Sequence, residues 1–151
     1  MFIIGQMVWL AFFVLVLLIS GEAVFDIVML FIDLPSLLAL AVPLLGIIMA
    51  TRGFAFFGMG FKMAINPKAV LSQEDRNGVA GLFRLLSIST LIIAIVVFVT
   101  SMLITIYNAD NDLLVSSMGD IVIISSIVLF YGTYISLGLF APISFIAKAY
   151  K

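Results

Sequence analysis

The chain has 151 residues, of which 65% are hydrophobic and 10% charged, with a formal net charge of −1. A soluble globular domain carries about 25% charged residues, so the mean hydropathy of +1.38 excludes an ordinary soluble domain and points to the bilayer. Cysteine and histidine are both absent, which excludes disulfides, thiolate nucleophiles, haem ligation and ordinary zinc sites; the charge leaves no footprint for nucleic acid.

Four apolar blocks follow in chain order. The first, "MFIIGQMVWLAFFVLVLLIS", predicts a span over 2–20. It lacks a basic n-region and reads as a retained helix rather than a cleaved signal peptide. Its single Trp9 suits packing against lipid or a neighbouring helix. The second block, "PSLLALAVPLLGIIMAT", predicts a span over 35–52 that meets Arg52. Between it and the third block, "GFAFFGMGFKMAI" alternates glycine with phenylalanine and suits the membrane interface. "NPKAV" predicts a turn. "SQEDRNG" predicts a helix start with Ser72 as N-cap and Asp75 at the capping-box distance, followed by an Asn-Gly turn.

The third block predicts a span over 85–107, ending in the polar cluster "NADND", and the fourth a span over 121–147. Each block reaches or approaches the roughly 17–25 residues of a spanning helix. No strand-like alternation occurs, so helices are the expected way to satisfy the backbone in lipid. The fold class is therefore all-α: an integral membrane protein of four transmembrane helices, forming one domain over 1–151 with a short loop at 53–84.

Charge predicts the orientation. Arg52, Lys62, Lys68, Arg76 and Arg84 cluster between or at the edges of the second and third spans, and Lys148 and Lys151 follow the fourth. The other two connections hold only acids: Glu22, Asp26 and Asp33, then Asp110, Asp112 and Asp120. The positive-inside rule puts both termini and the central loop in the cytoplasm.

Polar chemistry inside the spans is confined to hydroxyls. No carboxylate falls within a span, so a proton relay needs an acid from a partner. Asp33 and Asp120 suit caps of the second and fourth helices first, where a negative charge suits the dipole, and an ion-entry role second. Arg52 and Arg84 suit anchoring to lipid phosphates first and a gating role second, and Lys148 is a further expected interface anchor. Ser87, Ser89, Thr90, Thr100, Ser101, Thr105, Ser125, Ser126, Thr133 and Ser136 suit helix-to-helix hydrogen bonding first and an ion path second. Gly132 and Ser136 form a small-xxx-small pair that admits a close neighbour. No nucleophile stands with a base, so no enzyme is expected, and neither a cofactor nor a metal site is expected.

Three stretches carry a resemblance. "YGTYISLGLFAPI" places Tyr131, Gly132, Ser136, Phe140, Pro142 and Ile143 ahead of Lys148. "FIDLPSLLALAVPLLGIIMATRGFAFFG" precedes it, and "FRLLSI" with "IYNADND" frames the third block, with Phe83-Arg84 at its start and Asn108 and Asp110 at its end. In order and spacing these resemble the MotA/TolQ/ExbB family, most closely the flagellar stator A subunits. The resemblance implies a ring, a pentamer by analogy, in a bacterial inner (cytoplasmic) membrane. It implies a single-helix partner of the MotB or ExbD kind that supplies a titratable aspartate. Ion-path candidates are then Ser125, Ser126 and Thr133, and the packing or oligomer residues are Tyr131, Gly132, Ser136, Phe140 and Pro142.

The sequence also departs from that pattern. The loop 53–84 is far shorter than the rotor-engaging domain of stator A subunits. Leu91, Val97-Phe98 and Val128-Leu129 stand where the family has proline, Gly-Thr and Thr-Thr. Two readings follow. One is an ion-driven, proton or sodium, transport subunit. The other is a reduced, non-conducting homologue that serves as a membrane scaffold.

Overall fold

The computed structural model describes residues 5–8, 11, 34–66, 71–108 and 125–149. They are helical apart from short connections, and no strand occurs among them. Helix α1 spans Leu34–Ala50, α2 Phe54–Ile65 and α3 Gln73–Asn108. Helix α4 spans Ser125–Ala149 and contains a π-helical segment, Tyr134–Phe140. Among the described residues two helices, α3 over Gln73–Ile104 and α4, are long and apolar enough to cross a membrane; the α1–α2 pair makes a third if taken as one bent span. The expected first span, 2–20, lies almost wholly outside the described residues, as do Asp33, Lys68, Asp110, Asp112, Asp120 and Lys151.

Helix α1 ends within two residues of the expected bound, in a sharp turn. Gly53 N–H donates to Ile48 O at 2.8 Å and Arg52 N–H donates to Met49 O at 3.1 Å. These are the paired bonds of a Schellman turn, which needs a left-handed residue after the cap. Arg52 takes that place, with φ of 50°. The chain then turns by 112° into α2.

Gly60 on α2 and Gly78 on α3 make room for aromatic rings between the two helices. A side chain on Gly60 would strike the ring of Phe83, and one on Gly78 would strike the ring of Phe56. Each glycine therefore leaves the hollow that an aromatic fills from the facing helix. Phe83 is fully buried. It stacks on Phe57 at 5.7 Å and meets Phe61 edge-on at 5.9 Å and Phe140 edge-on at 5.7 Å. Edge and offset pairs of this kind suit the ring quadrupole.

Helix α3 begins at the expected cap but continues where a turn was expected. Ser72 Oγ accepts the Asp75 N–H at 3.1 Å and donates to Asp75 Oδ2 at 2.7 Å. The Asn77-Gly78 pair then lies inside the helix, not in a turn, because Gly78 gains its place from Phe56 and tertiary packing overrides local propensity. At 36 residues the helix is about 54 Å long, more than the hydrocarbon core needs. One face carries the buried residues Val79, Phe83, Leu86, Thr90 and Ala94. The opposite face exposes Leu85, Ile88, Ile92, Ile95, Val99 and Leu103.

Helices α3 and α4 pack antiparallel in a fixed register. Phe83 meets Phe140, Ser87 meets Ser136, and Ser101 meets Ser125. Pro142 explains the π segment between these contacts. Proline lacks an N–H and crowds the carbonyl four residues back, which here is Gly138. The chain widens instead, and Ala141 N–H bonds Ser136 O, five residues back.

Candidate functional site

Two polar zones lie along the α3–α4 seam. The first is closed. Ser136 Oγ donates to Ser87 O at 2.8 Å, while Ser87 Oγ lies 2.8 Å from Ser136 Oγ and 3.2 Å from Ser136 O. Thr90 Oγ1 donates to Leu86 O at 2.6 Å, and Ser144 Oγ donates to Ala80 O at 2.9 Å. All four hydroxyl residues are buried. Their polarity is spent inside the chain, so they act as glue between helices.

The π segment adds a second contact to this zone. Gln6 Nε2 donates to Gly138 O, and Tyr134 Oη donates to Gln6 Oε1 at 2.9 Å. Pro142 cannot donate to Gly138 O across an α-helical turn, and the Gln6 amide supplies a donor there. Sequence reasoning missed Gln6. Its signal was present, since it is the only amide in the block "MFIIGQMVWL".

The second zone is open. Ser36 on α1, Ser101 on α3 and Ser125 on α4 line one cavity of about 350 Å³, with Pro35, Ala39, Val97 and Val128 around them. Ser125 Oγ donates to Ser101 Oγ at 3.4 Å. Ser101 also borders a groove of about 350 Å³ with Val96, Val97, Thr100 and Ile104. That groove opens on the exposed apolar face of α3. Ser36, Ser125, Ser101 and Thr100 thus lie between the inter-helix cavity and the exposed apolar face of α3.

The expected ion-path residues do not form one line. Ser125 is buried in the open zone, Ser126 beside it is partly buried, and Thr133 is exposed on another face of α4. Ser36 and Ser101, not Thr133, share a cavity with Ser125. The expected packing residues divide likewise. Gly132 lies against Ala94 and the Thr90 carbonyl of its own chain, Phe140 against Phe83, and Ser136 against Ser87. Tyr131 and Pro142 are partly buried, and Tyr131 lies 6.3 Å from Phe130. Gly132 and Ser136 therefore serve close approach within one chain. Arg52, Arg84 and Lys148 are exposed.

Among the described residues no group of histidine, cysteine, aspartate or glutamate is arranged to hold a metal. Compared with protein families, with characterised proteins and with solved structures, the chain matches none.

Proposed function

We propose that the chain is a ring-forming membrane subunit of the MotA/TolQ/ExbB kind, working in ion-driven transport with a single-helix partner. Four spanning helices and cytoplasmic termini belong to this proposal, on the charge asymmetry of the connections. The observation that carries it is the open hydroxyl zone. Ser36, Ser101 and Ser125 converge on a cavity that reaches, through Ser101, the groove at Thr100. The adjoining face of α3 is apolar and exposed, with Val96 and Ile104 at the groove's edge. A partner helix laid there would bring its acid beside hydroxyls that can replace part of an ion's water shell. The acid must come from the partner, because no Asp or Glu lies between Arg76 and Asn108 or between Ser125 and Ala149.

A second reading rests on the closed zone. Ser87, Thr90, Ser136 and Ser144 are all bonded within the chain, which is how a scaffold uses hydroxyls. In that reading the ring holds a partner in place and passes no ion.

Ion flux into liposomes separates the two. The chain is reconstituted with and without the partner found as a neighbouring reading frame, and proton and sodium uptake are measured under a potential. Flux that needs both proteins supports transport. A complex that assembles yet passes neither ion supports the scaffold.

A further inference from the structure

A different site lies at the basic end of the α3–α4 pair. Arg84 and Ser87 on α3 and Ser144 and Lys148 on α4 line a cavity of about 420 Å³, with Ile88 and Phe145 at its mouth. The volume falls within the range of about 300–1,000 Å³ typical of ligand pockets. We propose that it is a binding site for one anionic phospholipid, with its phosphate between Arg84 and Lys148 and an acyl chain along Ile88 and Phe145.

Three features point to this occupant. The first is charge. Two cations from different helices meet at one cavity, and neither α2, α4 nor the part of α3 after Asp75 contributes a carboxylate to oppose them. The Arg84 guanidinium offers a planar fork that matches two phosphate oxygens, and Lys148 adds a mobile point charge. The second is the hydroxyl chemistry. Ser144 donates to Ala80 O, and Ser87 bonds across to Ser136, so neither proton is left for a ligand. Recognition therefore falls on the two cations, and a purely hydroxyl-bonding ligand such as a sugar is disfavoured.

The third feature separates a lipid from a soluble anion. Phe145 is 72% exposed and Ile88 50% exposed, directly beside the charges. A free phosphate gains nothing from that apolar wall, whereas an acyl chain covers it. The position agrees, because Arg84 stands just before the apolar run of α3 and Lys148 in the last turn of α4. Ser144 bonded to Ala80 and Phe140 against Phe83 hold the two helices in register, so the cations are set at one level by the fold.

The test is lipid retention by native mass spectrometry. The full-length protein is released from mixed micelles of phosphatidylcholine and phosphatidylglycerol, and the retained lipid is identified. One phosphatidylglycerol per chain is expected, preferred over phosphatidylcholine. Arg84→Gln and Lys148→Gln should each cut that preference about fivefold, the worth of about 1 kcal/mol for one cation near an anionic lipid. Both side chains are exposed, so helix content by circular dichroism should not change. Lys62→Gln removes the same charge from α2 and should leave retention unchanged. Equal losses in all three variants would mean a general surface field and overturn the site. Displacement of the lipid by inorganic phosphate at matched ionic strength would overturn it in favour of a soluble anion.

Discussion

Gln6 and Gly138 are joined by a hydrogen bond from the side-chain amide to the backbone carbonyl, across a sequence separation of 132 residues. Pro142, four residues on, has no N–H to offer that carbonyl across an α-helical turn. Gln6 and the last helix are linked through that one backbone group.

This relationship predicts coupling between Gln6 and Pro142. Gln6→Leu leaves Gly138 O without its donor and should destabilise the fold by about 1–3 kcal/mol, the cost of a buried unpaired polar group. Pro142→Ala supplies an N–H at the right place. In that background Gln6→Leu should cost less than half as much. Steric-trapping unfolding in bicelles measures both legs of the cycle, and equal costs in the two backgrounds would show that the proline is not the cause.

Gly132 gives a second prediction. A methyl group there collides with the Ala94 Cβ and sits near the Thr90 carbonyl. Gly132→Ala should cost about 1–3 kcal/mol by overpacking, despite alanine's better helix propensity. Gly132→Ala with Ala94→Gly moves the methyl across the seam and should recover most of that loss. A loss of oligomer with no loss of chain stability would instead place Gly132 between subunits.

Gly60 makes the same argument for α2. Its missing side chain is the space the buried Phe83 ring occupies. Gly60→Ala should destabilise by about 1–3 kcal/mol, and pairing it with Phe83→Leu should lessen the penalty. Gly58, which has nothing within 4 Å of an added Cβ, is the control. Gly58→Ala should gain up to about 1 kcal/mol of helix propensity. Opposite signs at Gly58 and Gly60 would confirm that Gly60 serves packing; equal signs would contradict it.

Much of the scaffold was legible in the sequence because its helices are long apolar blocks. The blocks behind α1, α3 and α4 are visible at sight, and so is the Ser72–Asp75 cap. What stayed hidden depends on contacts between distant residues. Asn77-Gly78 carries turn chemistry, yet the Phe56 ring keeps it helical. Arg52 gives no local sign that it adopts a left-handed conformation. Pro142 announces a disturbance without saying that the widening covers Tyr134–Phe140. The site was half legible for the same reason. Hydroxyls can be counted in a sequence, but register and helix phase decide which are closed off, as at Ser136, and which line a cavity, as at Ser125.

The topology prediction follows from charge alone. Single cysteines at Ser72 and Asp112, in a chain that has none of its own, should label from opposite faces of sealed vesicles. Labelling of both from one face would remove the four-helix arrangement.

The central claim is that the open hydroxyl zone, and not the closed seam, serves ion passage. The direct measurement is flux in liposomes with the partner present, comparing wild type, Ser101→Ala/Ser125→Ala and Ser136→Ala. The alanine pair adds no bulk but strips the cavity of two polar groups, and an ion there then faces a desolvation cost of several kcal/mol. Ser136→Ala removes the bond to Ser87 O and the contact with Ser87 Oγ, worth about 0.6 kcal/mol each, and leaves Ser136 O to accept from Ser87. The account predicts that flux collapses in the alanine pair and persists in Ser136→Ala, with both variants still assembled. Flux unchanged in the alanine pair would contradict it.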